Sequence, residues 1–144
     1  MKVTEGLAVE HTVYSKVFDQ IERALPKLNT LEEAKMLSTF VEGLLQSHGD
    51  TEENLFYLTM DYVLEGKDQL GQLHHEHQEI DVRVKQAQSA NNLEEARQLL
   101  TAAMRVTRDH FRHEEQVAFP LIERKLHYTA LNEVGKAWMQ DSSV

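Results

Sequence analysis

The feature that most constrains this chain is that it repeats itself. At an offset of 62 residues, Leu31-Glu32-Glu33-Ala34-Lys35 recurs as Leu93-Glu94-Glu95-Ala96-Arg97, His48 falls on His110, Glu52 on Glu114 and Glu53 on Glu115. The apolar positions keep the same register, Leu37 with Leu99 and Leu44 with Val106. A histidine four residues before a glutamate lies on the same face of a helix, one turn away. Each His-x-x-x-Glu also has a further histidine upstream on its own helical segment, His11 before the first and His74 and His77 before the second. The chain therefore reads as two helical hairpins. Each presents a histidine from its first helix and a His-x-x-x-Glu from its second.

The apolar period extends this reading along the chain. Residues 9–28 form a first helix with His11, Tyr14, Phe18, Ile21 and Leu25 in steps of three and four. Thr30-Leu31-Glu32-Glu33 is a capping box that opens a second helix running to about residue 64. Its inward stripe is Ala34, Leu37, Val41, Leu44, His48, Glu52 and Leu55. Residues 65–67 form a turn, and a third helix comes next over 68–90 with Leu70, His74, His77, Val84 and Ala87 near one face. Asn92 caps the fourth, whose stripe is Ala96, Leu99, Ala103, Val106, His110, Glu114, Val117 and Leu121. Pro120 is expected to kink or unwind this helix locally. A short last helix over 131–139 packs Trp138 across the bundle end. Long helices with short connections predict an all-α fold: an up-down-up-down antiparallel four-helix bundle with a short C-terminal helix, one domain over 1–144.

Composition excludes several function classes. A formal charge of −9 argues against nucleic acid or an anionic membrane as partner. The chain has no cysteine, so disulfides, thiolate metal sites and a cysteine nucleophile are out. That fits a reducing, cytoplasmic setting. Met1-Lys2-Val3 is not followed by an apolar stretch, so no signal peptide is expected, and no run approaches the ~20 apolar residues of a membrane span.

The His-x-x-x-Glu pairs sit inside apolar stripes that face the core. An unpaired buried carboxylate costs several kcal/mol, and a buried imidazole needs partners. Two glutamates and at least four imidazoles converging on one interior are offset by two divalent cations with a bridging hydroxide. Imidazole with carboxylate suits iron, manganese or zinc. The Glu-x-x-His motif of ferritin-like bundles and the zincin His-Glu-x-x-His are both absent. His75 and His113 lie off the stripes and are expected at the surface, and His127 sits near a helix end with no motif. Glu53 and Glu115, each one residue after an inward glutamate, are candidates to accept hydrogen bonds from imidazole N–H groups. Tyr14, one turn beyond His11, is expected in the core near the metals.

His11, His48-Gly-Asp-Thr-Glu52-Glu53, His74-His75-Glu76-His77 and His110-Phe-Arg-His-Glu114-Glu115 with Pro120 together resemble the hemerythrin-like family, specifically its HHE cation-binding domain. The resemblance spans roughly residues 9–121. It implies a left-turning bundle around an oxo- or hydroxo-bridged pair of iron ions. Glu52 and Glu114 would bridge them, His11 and His48 would ligate one, and His77 and His110 the other. His74 is the candidate fifth imidazole. Hemerythrin oxygen carriers look like His-x-x-x-His in the third helix and His-x-x-x-x-Asp in the fourth. Here the third has His74-x-x-His77, with Leu73 four before His77, and the fourth has His110-x-x-x-Glu114. These departures point away from dioxygen transport and toward the broader cation-binding branch. The expected function is a di-iron protein that binds or senses dioxygen, nitric oxide or iron. An enzyme of peroxidase or catalase type acting on hydrogen peroxide is the alternative, and a bundle that uses metal only for stability is a third. A small diatomic ligand or peroxide is the expected partner.

Overall fold

The computed structural model describes residues 1–63 and 68–142. The turn expected at 65–67 lies outside them. Every regular element among the described residues is helical: α1 (Val3–Ala24), a 3₁₀ turn (Leu25–Lys27), α2 (Leu31–Thr51), a π turn (Glu52–Tyr57), α3 (Leu58–Val63), α4 (Asp68–Gln88), α5 (Leu93–His113), a second π turn (Glu114–Ala118), α6 (Phe119–Lys125) and α7 (Tyr128–Ser142). The π turns join α2 to α3 and α5 to α6 without a break, so the described residues form five rods. Helix α1 packs against α2, α5 and α7, α2 against α4 and α5, and α4 against α5. Among the described residues no helix is long and apolar enough to cross a membrane.

Local chemistry sets the helix starts. The Thr30 hydroxyl accepts from the Glu33 amide at 3.2 Å, while Glu33 Oε1 accepts from the Thr30 amide at 3.0 Å. Asn92 Oδ1 accepts from the Glu95 amide at 2.9 Å. Each arrangement satisfies amide groups that the first turn of a helix leaves free. Helix α1 begins at Val3, six residues before the expected start. The added turns carry Val3 and Leu7, which are buried where α7 crosses α1. That crossing is close. A Cβ on Gly6 would meet Trp138 Cζ3 at 2.6 Å, and one on Gly135 would meet the Met1 carbonyl oxygen.

The core is divided. One apolar cluster, with Leu7, Phe56, Met60, Leu73, Phe119 and Ile122, fills the end that α7 covers. Another, with Phe18, Val41, Ile80, Val84, Leu100 and Met104, fills the opposite end. The buried side chains His11, His48, Glu52, His110 and Glu114 belong to neither. Burying one large apolar side chain stabilises by about 1.5–3 kcal/mol. The two clusters thus supply the folding energy against which a polar layer is held.

Before the glutamates Ser38, Leu100 and Thr107 are buried where the expected Leu37, Leu99 and Val106 are half-buried, and just after the glutamates the inward stripes depart again. In place of Leu55, Phe56 and Tyr57 are buried. In place of Val117 and Leu121, Ala118 and Ile122 are buried, and Val117 is 40% exposed. The cause is the π turn, in which the Phe119 amide donates to the Glu114 carbonyl five residues back. Each π turn adds one residue and rotates the next stretch of helix by about 100°. Pro120 lies just past the second π turn and helix continues through it. The first π turn has Leu58 at the matching position, so proline is not needed to make such a turn.

Candidate metal centre

The six inward residues reach one layer from four helices. His11 stands on α1, His48 near the end of α2 with Glu52 opening the π turn after it, His77 on α4, and His110 near the end of α5 with Glu114 opening the second π turn. Among the described residues two groups of donor atoms arise. One is His11, His48, Glu52 and Glu114; the other is Glu52, His77, His110 and Glu114. Both glutamates belong to both groups and are fully buried.

All four imidazoles turn Nε2 inward. In the first group, His48 Nε2 lies 2.8 Å from Glu52 Oε1, and His11 Nε2 lies 3.4 Å from Glu114 Oε1 and 3.1 Å from His48 Nε2. In the second, His77 Nε2 lies 2.9 Å from Glu52 Oε2 and His110 Nε2 lies 3.1 Å from Glu114 Oε1. His110 Nε2 and Glu114 Oε1 are not aligned to hydrogen-bond one another, and neither has another partner. Buried polar atoms without partners are rare. Donors that converge on common points instead of pairing fit cations between them. Four imidazoles and two carboxylates, with no thiolate, are the donor set of iron, manganese or zinc.

The outward nitrogens face carboxylates. His48 Nδ1 is 2.9 Å from Glu10 Oε1, His77 Nδ1 is 3.1 Å from Glu53 Oε1, His110 Nδ1 is 2.8 Å from Glu76 Oε1, and His11 Nδ1 is 3.5 Å from Glu115 Oε1. Such carboxylates fix the ring orientation and the tautomer of a metal-binding imidazole. Glu53 thus takes the place expected of it, whereas Glu115 makes no hydrogen bond to His11 Nδ1. Glu10 and Glu76 were not foreseen, although the signal was present: Glu10-His11 and Glu76-His77 are the same dipeptide in both halves. One position along a helix is a rotation of about 100°, so each glutamate leaves its own histidine and reaches the one on the neighbouring helix.

The sequence matches the hemerythrin HHE cation-binding domain over residues 2–122. The chain belongs to that family. No curated protein and no solved structure matches it.

In this HHE domain His74 stands outside both donor groups. Its Nδ1 donates to Glu53 Oε1 at 2.8 Å and its side chain is 42% exposed. A spacing of three instead of four places it about 60° around α4 from His77. Leu73, four before His77, occupies the inward position and is buried. His113 is not a free surface residue as expected, since its Nδ1 donates to Glu76 Oε2 at 2.8 Å. His75 and His127 are exposed. Tyr14 meets His48 edge-on at 5.3 Å, and burial and the neighbouring Glu10 push its hydroxyl up to about 12. Tyr57 was not singled out by its spacing, because an α-helical period from Glu52 points to residues 55 and 56. The π turn brings it in. Its hydroxyl donates to Glu114 Oε2 at 3.0 Å. Burial and the facing Glu52 and Glu114 carboxylates push it up.

The electrostatics of the metal-free layer are set by this packing. Burial alone would lower His48, but Glu52 and the hydrogen bond to Glu10 outweigh it and raise the imidazole to about 10. Burial likewise opposes charge on His11 and His110, yet contact with Glu114 and Glu52 raises both. Burial would raise Glu52, but His48, His11 and His110 hold it well below the carboxylate range. Protons on imidazoles thus balance the buried carboxylates until a cation takes their place.

Proposed function

We propose that this HHE domain holds two iron ions, one in each donor group, and binds or senses a small diatomic ligand, dioxygen or nitric oxide. The observation that carries this reading is that the groups share Glu52 and Glu114 while each has its own pair of imidazoles. Helices α1, α2, α4 and α5 and the π turns that follow α2 and α5 supply all six residues, which fits an up-down-up-down bundle with α7 across its end. When bound, a pair of iron ions supplies open coordination positions and a redox couple. The chain's own part is to orient the imidazoles through Glu10, Glu53 and Glu76, and to restrict water with rings such as Phe111, which stacks on His11 at 4.0 Å. A cleft of about 440 Å³ between α2, α4 and α5 opens onto His48, His77 and His110, a route for a small molecule.

Peroxide consumption is a second reading, favoured by the place of His74. With no fifth imidazole, no histidine closes either ion, and two metals could act on one oxygen–oxygen bond. Anaerobic loading with ferrous iron tests both readings. Two irons per chain and an optical change on adding nitric oxide or air are expected, with peroxide turnover slow or absent. One iron or none per chain would overturn the dinuclear reading, and rapid turnover without a stable adduct would favour the enzyme.

A further inference from the structure

The two donor groups differ in one oxygen atom. Tyr57, 1% exposed, lies at the end of the first π turn. Its Oη is 3.0 Å from Glu114 Oε2, 3.1 Å from His77 Nε2 and 3.5 Å from Glu52 Oε2. These are the separations that the group's own donors keep from one another. Ligands at about 2.1 Å from one ion in octahedral geometry lie about 3 Å apart along an edge. A phenol has a single proton to give, and Glu114 Oε2 and Glu52 Oε2 both lie within its reach, with His77 Nε2 as a third polar neighbour. One hydrogen bond cannot satisfy them, whereas a cation would draw all of them together.

The internal repeat sharpens the contrast. At the offset of 62, Tyr57 falls on Phe119. Phe119 closes the other group with a ring stacked toward His11 at 5.7 Å and offers no donor atom. Tyr57 also stands beside His74, edge-on with ring centroids 5.2 Å apart. The oxygen thus occupies the side of the centre from which His74 is held away.

We infer that Tyr57 is an oxygen ligand of the metal ion held by Glu52, His77, His110 and Glu114, and that the ion held by His11 and His48 has no such ligand. The O–H proton leaves to solvent as the oxygen–metal bond forms, and no electron is transferred. The inference rests on the dinuclear reading above and deepens it. With Tyr57 added to Glu52, His77, His110 and Glu114, the second ion would have little room for a further ligand, and a small molecule would be left the ion held by His11 and His48.

The test uses the full chain loaded with ferric iron. A tyrosine oxygen on ferric iron gives a visible charge-transfer band and resonance-enhanced ring vibrations. Both are expected in the wild type and in Tyr128→Phe, an exposed control. Both are expected to vanish in Tyr57→Phe with two irons per chain retained. Ring-deuterated tyrosine in the wild-type chain should shift the vibrations, which reports on tyrosine without any substitution. Two irons with no such band in the wild type, or a band that survives Tyr57→Phe, would overturn the tyrosine ligand and leave the dinuclear reading standing. Fewer than two irons in the wild type would overturn both.

Discussion

At the scale of single residues the centre is built from imidazoles held between two kinds of carboxylate. Glu52 and Glu114 face the Nε2 atoms, while Glu10, Glu53, Glu76 and Glu115 face Nδ1. Removing an outer carboxylate frees a ring to rotate and lowers its basicity. Glu76→Ala, which affects both His110 and His113, should therefore weaken metal binding about 10- to 100-fold, as measured by competition with a chelator. Glu52→Ala removes a donor from both groups and should abolish two-metal loading, while circular dichroism still reports formed helices. The protonation of His48 gives a pH signature. Its folded value, about 10, lies above the ordinary 6.5. Its contribution to metal-free stability is therefore complete below about 6.5 and lost as pH rises through about 10. Glu52, held low, contributes above the ordinary carboxylate value and loses that contribution only in acid. Melting temperatures of the metal-free protein should thus fall between pH 7 and 10, while the loaded protein, whose imidazole binds a cation instead of a proton, changes less. Parallel melting curves across this range would contradict the assignment.

At the scale of elements, the repeat at 62 residues extends to backbone geometry. Both π turns open on the inward glutamate, at Glu52 and at Glu114. Each turns the next helix so that large apolar residues continue inward, Phe56 and Met60 in one half, Phe119 and Ile122 in the other. The first π turn forms with Leu58 where the second has Pro120, so such a turn does not require a missing N–H at that position. Pro120→Ala should therefore leave metal content unchanged and shift stability by no more than about 1 kcal/mol. Loss of metal in that variant would show that proline shapes the second turn after all. The starts of α2 and α5 were readable from the sequence because Thr30 and Asn92 mark them, whereas the start of α1 and both ends of α7 were not. The π turns were not, because a single added residue leaves no trace in composition.

At the scale of the whole molecule, two apolar clusters clamp a charged layer between them. Such a layer is stable without metal only while protons balance its carboxylates, so chelation should lower the melting temperature clearly. An unchanged melting temperature would mean that the layer gains nothing from cations. The sequence by itself determined the helical class, the pairing of the halves, and the six residues His11, His48, Glu52, His77, His110 and Glu114 that converge, because a helix converts spacing directly into direction. It also carried the family resemblance. Only the tertiary structure decided what depends on rotation between helices: that His74 turns out to Glu53, that Glu10 and Glu76 reach across to the histidines of neighbouring helices, and that Tyr57 turns in while Phe119 closes the opposite group. These arise from the π turns and from packing between rods. A one-residue change in phase rotates a side chain by about 100°, and no single helix records which phase its neighbours will select.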